Sequence, residues 1–223
     1  MKRRPLPVAA ALTATAALLL TACGSGDDES TANDKIAGAE QNTATPTKSA
    51  EPSAAAAEDK PDGVDLSLPK DINLVFDWTK PSNKNEAAAM DDAANYIRAI
   101  YQGVDKGTTK SAAVATYASG DGLKYANTQI DAYIEGGWTV TGTRRHYDAT
   151  TRFAANGKSV EVAFCSDSTK FYGREVTTRK VLTTDPSITD FSYFKIIMVK
   201  HPTGTDLWQA SNVYVEEKAA KCQ

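Results

Sequence analysis

An apolar run over residues 8–20 limits which part of this chain can form a folded core. The run follows Lys2, Arg3 and Arg4, and at about 13 residues it is shorter than the roughly 20 that a transmembrane helix needs. A basic start, a short apolar run and small residues after it are typical of a cleavable export signal. The sequence therefore predicts a signal peptide over residues 1–22 and leaves only the remainder to form a folded core.

The residues at the end of this run match the tetrad at which bacterial lipoproteins are processed. Leu20, Thr21 and Ala22 precede Cys23, and small residues before the cysteine fit an extended chain in a peptidase, while only a thiol can form a thioether. We therefore expect Cys23 to carry the lipid, palmitate among its acyl chains, and to hold the protein on the extracytoplasmic face of the cell membrane. Ordinary cleavage beside an incidental cysteine is the alternative.

Residues 23–63 are predicted to form a disordered acidic tether. From residue 24 onward this segment has nine acidic and three basic side chains and almost no large apolar ones. Such a composition cannot bury enough surface to offset the entropy of ordering. As a flexible coil of about 40 residues it would span roughly 35 Å.

Residues 64–223 are expected to form one domain without net charge, because they contain 19 acidic and 19 basic residues. Nucleic-acid binding needs a cationic surface that attracts phosphates. We therefore expect no nucleic-acid partner.

Three helices are predicted between residues 83 and 137. Asn83 and Glu86 fit a helix start, a short helix is expected over residues 111–118, and Gly136 and Gly137 can end a helix in the left-handed conformation. The first helix has a stripe at helical spacing, formed by Ala89, Ala93, Tyr96, Ile97, Ile100, Tyr101 and Val104. The third has another, formed by Leu123, Ala126, Ile130, Tyr133 and Ile134.

After residue 137 the apolar pattern changes to a period of two, which favours strands. A hairpin turn is predicted at Asn156 and Gly157, and a bulge near Gly142, because the apolar face shifts there. Helices followed by strands predict an α+β fold in which three N-terminal helices pack on a curved antiparallel sheet. Strands are predicted over residues 138–153, 159–166, 191–201 and 207–216, with an extended segment at 72–78 before the helices.

The order of these elements, with GGW (136–138) opening a long bent strand and LWQA (207–210) in the last one, resembles the nuclear transport factor 2-like superfamily. More closely, LVFDW (74–78), ANYIRAIY (94–101) and GGWTVTG (136–142) resemble uncharacterised lipoproteins of filamentous actinobacteria, over about residues 66–223. The superfamily implies a cone with a pocket between helices and sheet. Its members include isomerases, dehydratases, assembly modules and binding proteins, so the fold does not choose among these functions.

Cys165 and Cys222 remain once Cys23 is assigned to the lipid. An even pair of cysteines in an oxidising compartment indicates a disulfide, which would contribute about 4 kcal/mol in the chain-entropy model. Two free thiols are the alternative.

His146 and Asp148 are the candidates for pocket chemistry, and with Arg144 they share one face of a regular strand. A carboxylate beside a histidine can set up a general base. Tyr147, however, is the apolar member of this stretch and is expected to point inward. The favoured interpretation therefore places Arg144, His146 and Asp148 in solvent.

Tyr96, Tyr101 and Trp138 are further pocket candidates, although tyrosines at helical spacing usually belong to a core. Neither His146 nor His201 fits a metal-ligand pattern, so we expect no metal and no cofactor. Residues 167–190 are interpreted as a solvated connection, with an anion-binding loop as the alternative.

The leading functional hypothesis is a non-catalytic, membrane-tethered module that binds a small hydrophobic ligand or a cell-envelope protein. A pocket isomerase or hydrolase using His146 and Asp148 is the rival, and a spacer whose cone is filled by its own side chains is a third option. Aromatic residues on both faces of the late strands, such as Tyr193 and Phe194, predict that the second sheet face is also covered, for which a homodimer is one solution.

The lipid assignment predicts the behaviour of a single substitution. We expect Cys23→Ala to release the protein to the medium, because the thioether cannot form, and fractionation with intact-mass measurement would detect this. A Cys23→Ala protein that stays on the membrane at precursor size, and cannot be washed off, would contradict the assignment.

Overall fold

The computed structural model describes residues 60–155, 157–203 and 206–223. The predicted signal peptide, Cys23, the tether before residue 60 and Asn156 lie outside these residues. Within them, no helix is both long and apolar enough to cross a membrane. The elements are β1 (Ile72–Asp77), α1 (Lys84–Lys106), α2 (Ala112–Tyr117), α3 (Gly120–Gly136), β2 (Trp138–Phe153), β3 (Ser159–Glu175), β4 (Val181–Leu182), β5 (Phe191–Lys200) and β6 (Trp208–Glu217).

The elements form an α+β fold around one curved, open sheet with the strand order β1-β2-β3-β5-β6. Strand β4 pairs with β3 beside this path. The predicted antiparallel sheet is wrong at one edge, because β1 runs parallel to β2. The chain leaves β1, passes through all three helices and enters β2 in the same direction, which is the long crossover that a parallel pair requires.

Local capping residues set the ends of the long helices. Asn83 accepts hydrogen bonds from the backbone N–H groups of Asn85 and Glu86, which satisfies donors that the first turn of α1 leaves unpaired. Gly107 and Gly137 end α1 and α3 in the left-handed conformation, as the sequence predicts for Gly137. The long helices thus end where their glycines allow the chain to turn.

The main core lies between the helices and the inner face of the sheet. Tyr96 of α1 donates a hydrogen bond of 2.7 Å to the carbonyl oxygen of Gly122 in α3. A Cβ at Gly122 would lie 2.1 Å from the carbonyl oxygen of Ala210 in β6, so α3 packs on β6 at backbone distance. The largest fully buried side chains are Trp208, Tyr96, Tyr117, Phe164, Met90 and Ile130.

The segment from residue 60 to β1 is bound to the first two helices by hydrogen bonds. Tyr117 donates to a carboxylate oxygen of Asp62 at 2.9 Å, and Gln102 donates to the carbonyl oxygen of Asp65 at 2.7 Å. Leu66 is buried against the main core. The segment before β1 is therefore held along α1 and α2 by hydrogen bonds that its composition does not reveal.

The C-terminal turn covers part of the outer sheet face. A disulfide joins Cys165 of β3 to Cys222, and Tyr147 donates to the carbonyl oxygen of Cys222. The Lys221 ammonium lies 3.6 Å from the centre of the Tyr193 ring. The chain thus covers this part of its second face with its own tail, which sequence patterning alone did not predict.

Residues 167–175 continue β3 instead of forming the predicted solvated connection. Arg174 is only 7% exposed and forms an ion pair with Asp71. Its neighbour Gly173 pairs with Leu182 of β4. The basic residue that appeared to mark a loop is instead neutralised by a distant carboxylate.

Asp92 connects α1 to the start of β6 through a buried carboxylate. It is 7% exposed, and its Oδ2 accepts a hydrogen bond of 2.8 Å from the backbone N–H of Trp208. Burial raises the pKa of Asp92 to about 7 from an ordinary value of 3.8. The carboxyl group therefore holds its proton more firmly in the folded protein than in the unfolded chain.

This pKa predicts a pH-dependent contribution to stability. The contribution of Asp92 is fully present below pH 3.8 and is lost as the pH rises through about 7, which corresponds to at most about 4 kcal/mol. Asp92→Asn, which imitates the neutral acid, should unfold at higher denaturant than the native protein at pH 8 and at similar denaturant at pH 4. Asp91→Asn, at an exposed neighbour paired with Lys80, is the control. Equal pH profiles for the native protein and Asp92→Asn would contradict the assignment.

Candidate functional site

A cavity of about 130 Å³ lies between the helices and the sheet. Five elements line it from two sides, with α1 and α3 facing β2, β5 and β6. It is lined by Ile97, Ile100 and Tyr101 of α1, Tyr125, Gln129 and Tyr133 of α3, Arg144 and His146 of β2, Ser192 and Phe194 of β5, and Val215 and Glu217 of β6.

The cavity has a closed end and a more open end. His146 is 1% exposed, and Ile97 and Ile100 are also buried. Gln129 is half-buried and Glu217 is exposed. The cavity is therefore more accessible to solvent at Glu217 than beside His146.

The irregular course of β2 decides which of its side chains enter the cavity. Register shifts against β3 lie between Thr143 and Arg145 and between Tyr147 and Thr150. Asp148 lies in the second shift, with a positive φ of 52°, and its side chain is exposed. A bulge of this kind redirects the side chains that follow it.

The expectation that Arg144, His146 and Asp148 all face solvent is therefore wrong for Arg144 and His146, which line the cavity. Asp148 does face solvent, so His146 and Asp148 are not a pair. Tyr147, expected to point inward, packs on the outer face against the cluster formed by the disulfide. The outer face has its own apolar cluster, so an apolar side chain of this strand does not have to point inward.

Arg144 connects the helix layer to the sheet at this cavity. Its Nε donates a hydrogen bond of 2.7 Å to the hydroxyl of buried Ser166, and its Nη1 donates to the hydroxyl of Tyr101. The guanidinium carbon lies 5.9 Å from the centre of the Phe194 ring. An arginine in such a position stays charged.

The positive charge of Arg144 has no carboxylate partner in the part of the chain that the structure describes. Among those residues, no Asp or Glu oxygen lies within 4.0 Å of its nitrogens. Glu217 is the acidic residue that lines the cavity, and its side chain is exposed at the opening. The cavity wall therefore contains a guanidinium whose charge no carboxylate of the described residues neutralises.

His146 is held as a neutral imidazole of one tautomer. Its Nδ1 lies 3.2 Å from the carbonyl oxygen of Val75, and since a carbonyl only accepts, Nδ1 carries the proton. The ring stacks on Phe76 with centroids 4.5 Å apart. Burial, with the charge of Arg144, lowers the pKa of His146 to about 3. Its Nε2 is thus a hydrogen-bond acceptor and not a cation near neutral pH.

Three tyrosines surround the guanidinium and supply hydroxyl groups. Tyr101 accepts from Arg144 and keeps its own proton to donate. Neither Tyr125 nor Tyr133 has a hydroxyl partner within residues 60–155, 157–203 and 206–223. Burial raises the pKa of Tyr125 to about 12 and also raises that of Tyr133, so both remain protonated donors.

Two other sequence candidates lie away from this cavity. Tyr96 is fully buried and its hydroxyl is bound to Gly122. Trp138 is 45% exposed and lines a separate surface groove with Ile134 and Val176. Of the predicted pocket residues, the structure brings together Tyr101 and His146.

Sequence reasoning did not single out Tyr125 and Gln129 as pocket residues. With Tyr133 they recur every four residues along α3, which puts them on one face of the helix. This stripe of polar-tipped side chains beside the apolar one was the available signal. Within the described chain, no group of three or more His, Cys, Asp or Glu side chains could hold a metal ion.

No protein-family model matches the sequence, and no curated protein matches it. The solved structures to which it is similar include the intermembrane space region of chloroplast protein ARC6, at 9% identity and a TM-score of 0.41 over 61% of this chain and 99% of that one. A provisionally assigned ketosteroid isomerase from Shewanella frigidimarina has 14% identity and a TM-score of 0.32 over 60% and 98% of the two chains.

A provisionally assigned polyketide cyclase from Xanthomonas campestris pv. campestris has 12% identity and a TM-score of 0.27 over 57% of this chain and 90% of that one. At TM-scores this low, none of the three similarities carries an assignment of function. The cavity must therefore be interpreted from its own residues.

The tautomer of His146 gives a direct test of the cavity geometry. In nitrogen-15 NMR spectra we expect His146 to stay neutral, protonated at Nδ1, down to about pH 4, because its pKa is about 3. The chain has one other histidine, His201, and His201→Gln would assign the two signals. A His146 titration near 6.5, or a proton on Nε2, would show that the ring is not held as described.

Proposed function

We propose that this protein is an extracytoplasmic lipoprotein, anchored to the cell membrane through Cys23, whose α+β domain binds a small ligand without transforming it. The predicted export signal and the tetrad that ends at Cys23 support this location and this anchor. The cavity between helices and sheet supports the binding role, because two of its lining hydroxyls, those of Tyr125 and Tyr133, have no hydrogen-bond partner among the described residues.

The arrangement of Arg144 is the observation that carries the binding role. A charged group taken partly out of water is stabilised only when ions or hydrogen-bond partners replace the water. Among the described residues, the protein provides two neutral hydroxyls as its hydrogen-bond acceptors, and the guanidinium lines the cavity. A ligand is the partner that such a site lacks.

The fold also supports a place in the nuclear transport factor 2-like superfamily. Its helices lie on the inner face of an open sheet, and its cavity lies where the cone pocket of that superfamily would be. Since such folds serve enzymes and binding proteins alike, the choice between them depends on the side chains.

These side chains favour binding over catalysis. A His–Asp general base requires the carboxylate to orient the imidazole, but Asp148 is exposed across the strand and the backbone of Val75 orients His146 instead. An imidazole with a pKa of about 3 is also a weak base at neutral pH.

Native mass spectrometry of the mature protein, extracted from its own membranes, tests this proposal. We expect a lipid-modified N-terminus, a mass that includes the cystine, and a non-covalent small ligand. Ser192→Phe should lose the ligand, because Ser192 lines the cavity and a phenyl ring would fill it. Lys195→Phe, which puts the same ring at an exposed position of β5, should keep it. A protein without any ligand, or equal ligand retention by both variants, would contradict the binding role.

A further inference from the structure

We infer that the ligand of this cavity is a small organic acid whose carboxylate binds Arg144. This inference rests on the proposed binding function and names the class of ligand. Charge, hydrogen-bond capacity and size each restrict what the cavity accepts.

The first restriction is the charge of Arg144, which no carboxylate of the described residues neutralises. A second arginine of the same sheet, Arg174, provides a comparison. Arg174 is buried on β3 and forms an ion pair with Asp71. Arg144 is partly buried on the neighbouring strand, and its partners are the neutral hydroxyls of Ser166 and Tyr101. The fold supplies a counterion for Arg174 and, in the described residues, none for Arg144. An anionic ligand would complete the pattern.

The second restriction is the excess of donors. A guanidinium has five N–H groups, of which Ser166 and Tyr101 accept two. The hydroxyl protons of Tyr101, Tyr125 and Tyr133 add further donors along the same wall. A carboxylate, which has two oxygens and about four acceptor sites, matches such a set, and its planar geometry matches the arginine fork.

The third restriction is the shape of the closed end. Ile97, Ile100 and Phe194 form an apolar wall beside the guanidinium. The volume of about 130 Å³ is close to that of the roughly 150 Å³ apolar cavity known to bind benzene. The whole acid is therefore compact, and its non-ionic part is apolar and no larger than a branched short chain or a single ring.

These restrictions separate organic acids from two other ligand types. A neutral amide of the same shape would leave the guanidinium without a counterion. Inorganic phosphate or sulfate would bring the charge but would leave the apolar wall uncovered. Glu217 at the opening disfavours multiply charged anions further, because like charges repel.

The test compares matched probes on the full mature protein at pH 7. Isobutyrate and benzoate are titrated by calorimetry against isobutyramide and benzamide, with sodium phosphate and sodium sulfate as inorganic anions. We expect at least one carboxylate to bind 10-fold or more tightly than its amide and than either inorganic anion. The charge, and not the shape, distinguishes each acid from its amide.

Variants of the lining residues locate the binding site. Arg144→Gln should weaken carboxylate binding at least 10-fold and leave amide binding nearly unchanged. Since loss of Arg144 also removes contacts to Tyr101 and Ser166, Tyr133→Phe is the milder variant, and it should weaken carboxylate binding about threefold while the protein stays folded. Arg145→Gln, the same change at the exposed neighbouring residue of β2, is the matched control and should bind carboxylates as tightly as the native protein.

Each opposite result overturns the inference in a distinct way. Amides that bind as tightly as acids would mean that the donors recognise a neutral carbonyl, which leaves the proposed binding function intact. Phosphate or sulfate that binds as tightly as the acids would indicate a site for inorganic anions. A folded Arg144→Gln protein with native carboxylate affinity would show that Arg144 is not the group that binds the carboxylate. If no probe binds and native mass spectrometry finds no ligand, the binding function itself fails.

Discussion

The positive charge of Arg144, held inside the domain by neutral hydroxyl groups, is the constraint on which the cavity depends. Its hydrogen bonds join α1 to the sheet through Tyr101 and Ser166, so the guanidinium is fixed at the point where the two layers separate. A charge in this position must be compensated. The surrounding tyrosine hydroxyls lower the free-energy cost of burying this charge but do not neutralise it, so the cavity wall can still bind an anion.

The second constraint is the shape of β2, because it carries both Arg144 and His146 and also forms part of the outer face. Tyr147, the residue after His146, packs toward the disulfide of Cys165 and Cys222. The disulfide thus binds the C-terminal tail to the outer face of the sheet, while the cavity lies on the inner face. Strand β2 therefore contributes polar side chains to the cavity on one face and an apolar side chain to the disulfide cluster on the other.

Local structure was predictable because local residues determine it. The start of α1 after Asn83, the end of α3 at Gly137 and the limits of β2 follow from capping, backbone freedom and apolar period. The parallel pairing of β1 and the extension of β3 beyond residue 166 were not predictable in this way. Both depend on partners that are distant along the chain, such as His146 for Phe76 and Thr139 for Arg174.

The sequence by itself determined the helices, most strand limits, the α+β class and the expected pairing of Cys165 with Cys222. Tertiary structure alone decided which faces of the strands are inside. Alternation predicted Arg144 and His146 in solvent because it assumes a regular strand with one apolar face. The outer face has an apolar cluster that takes up Tyr147, so Arg144 and His146, on the opposite side of the strand, face the cavity. The bulge at Asp148 then turns that carboxylate away from them.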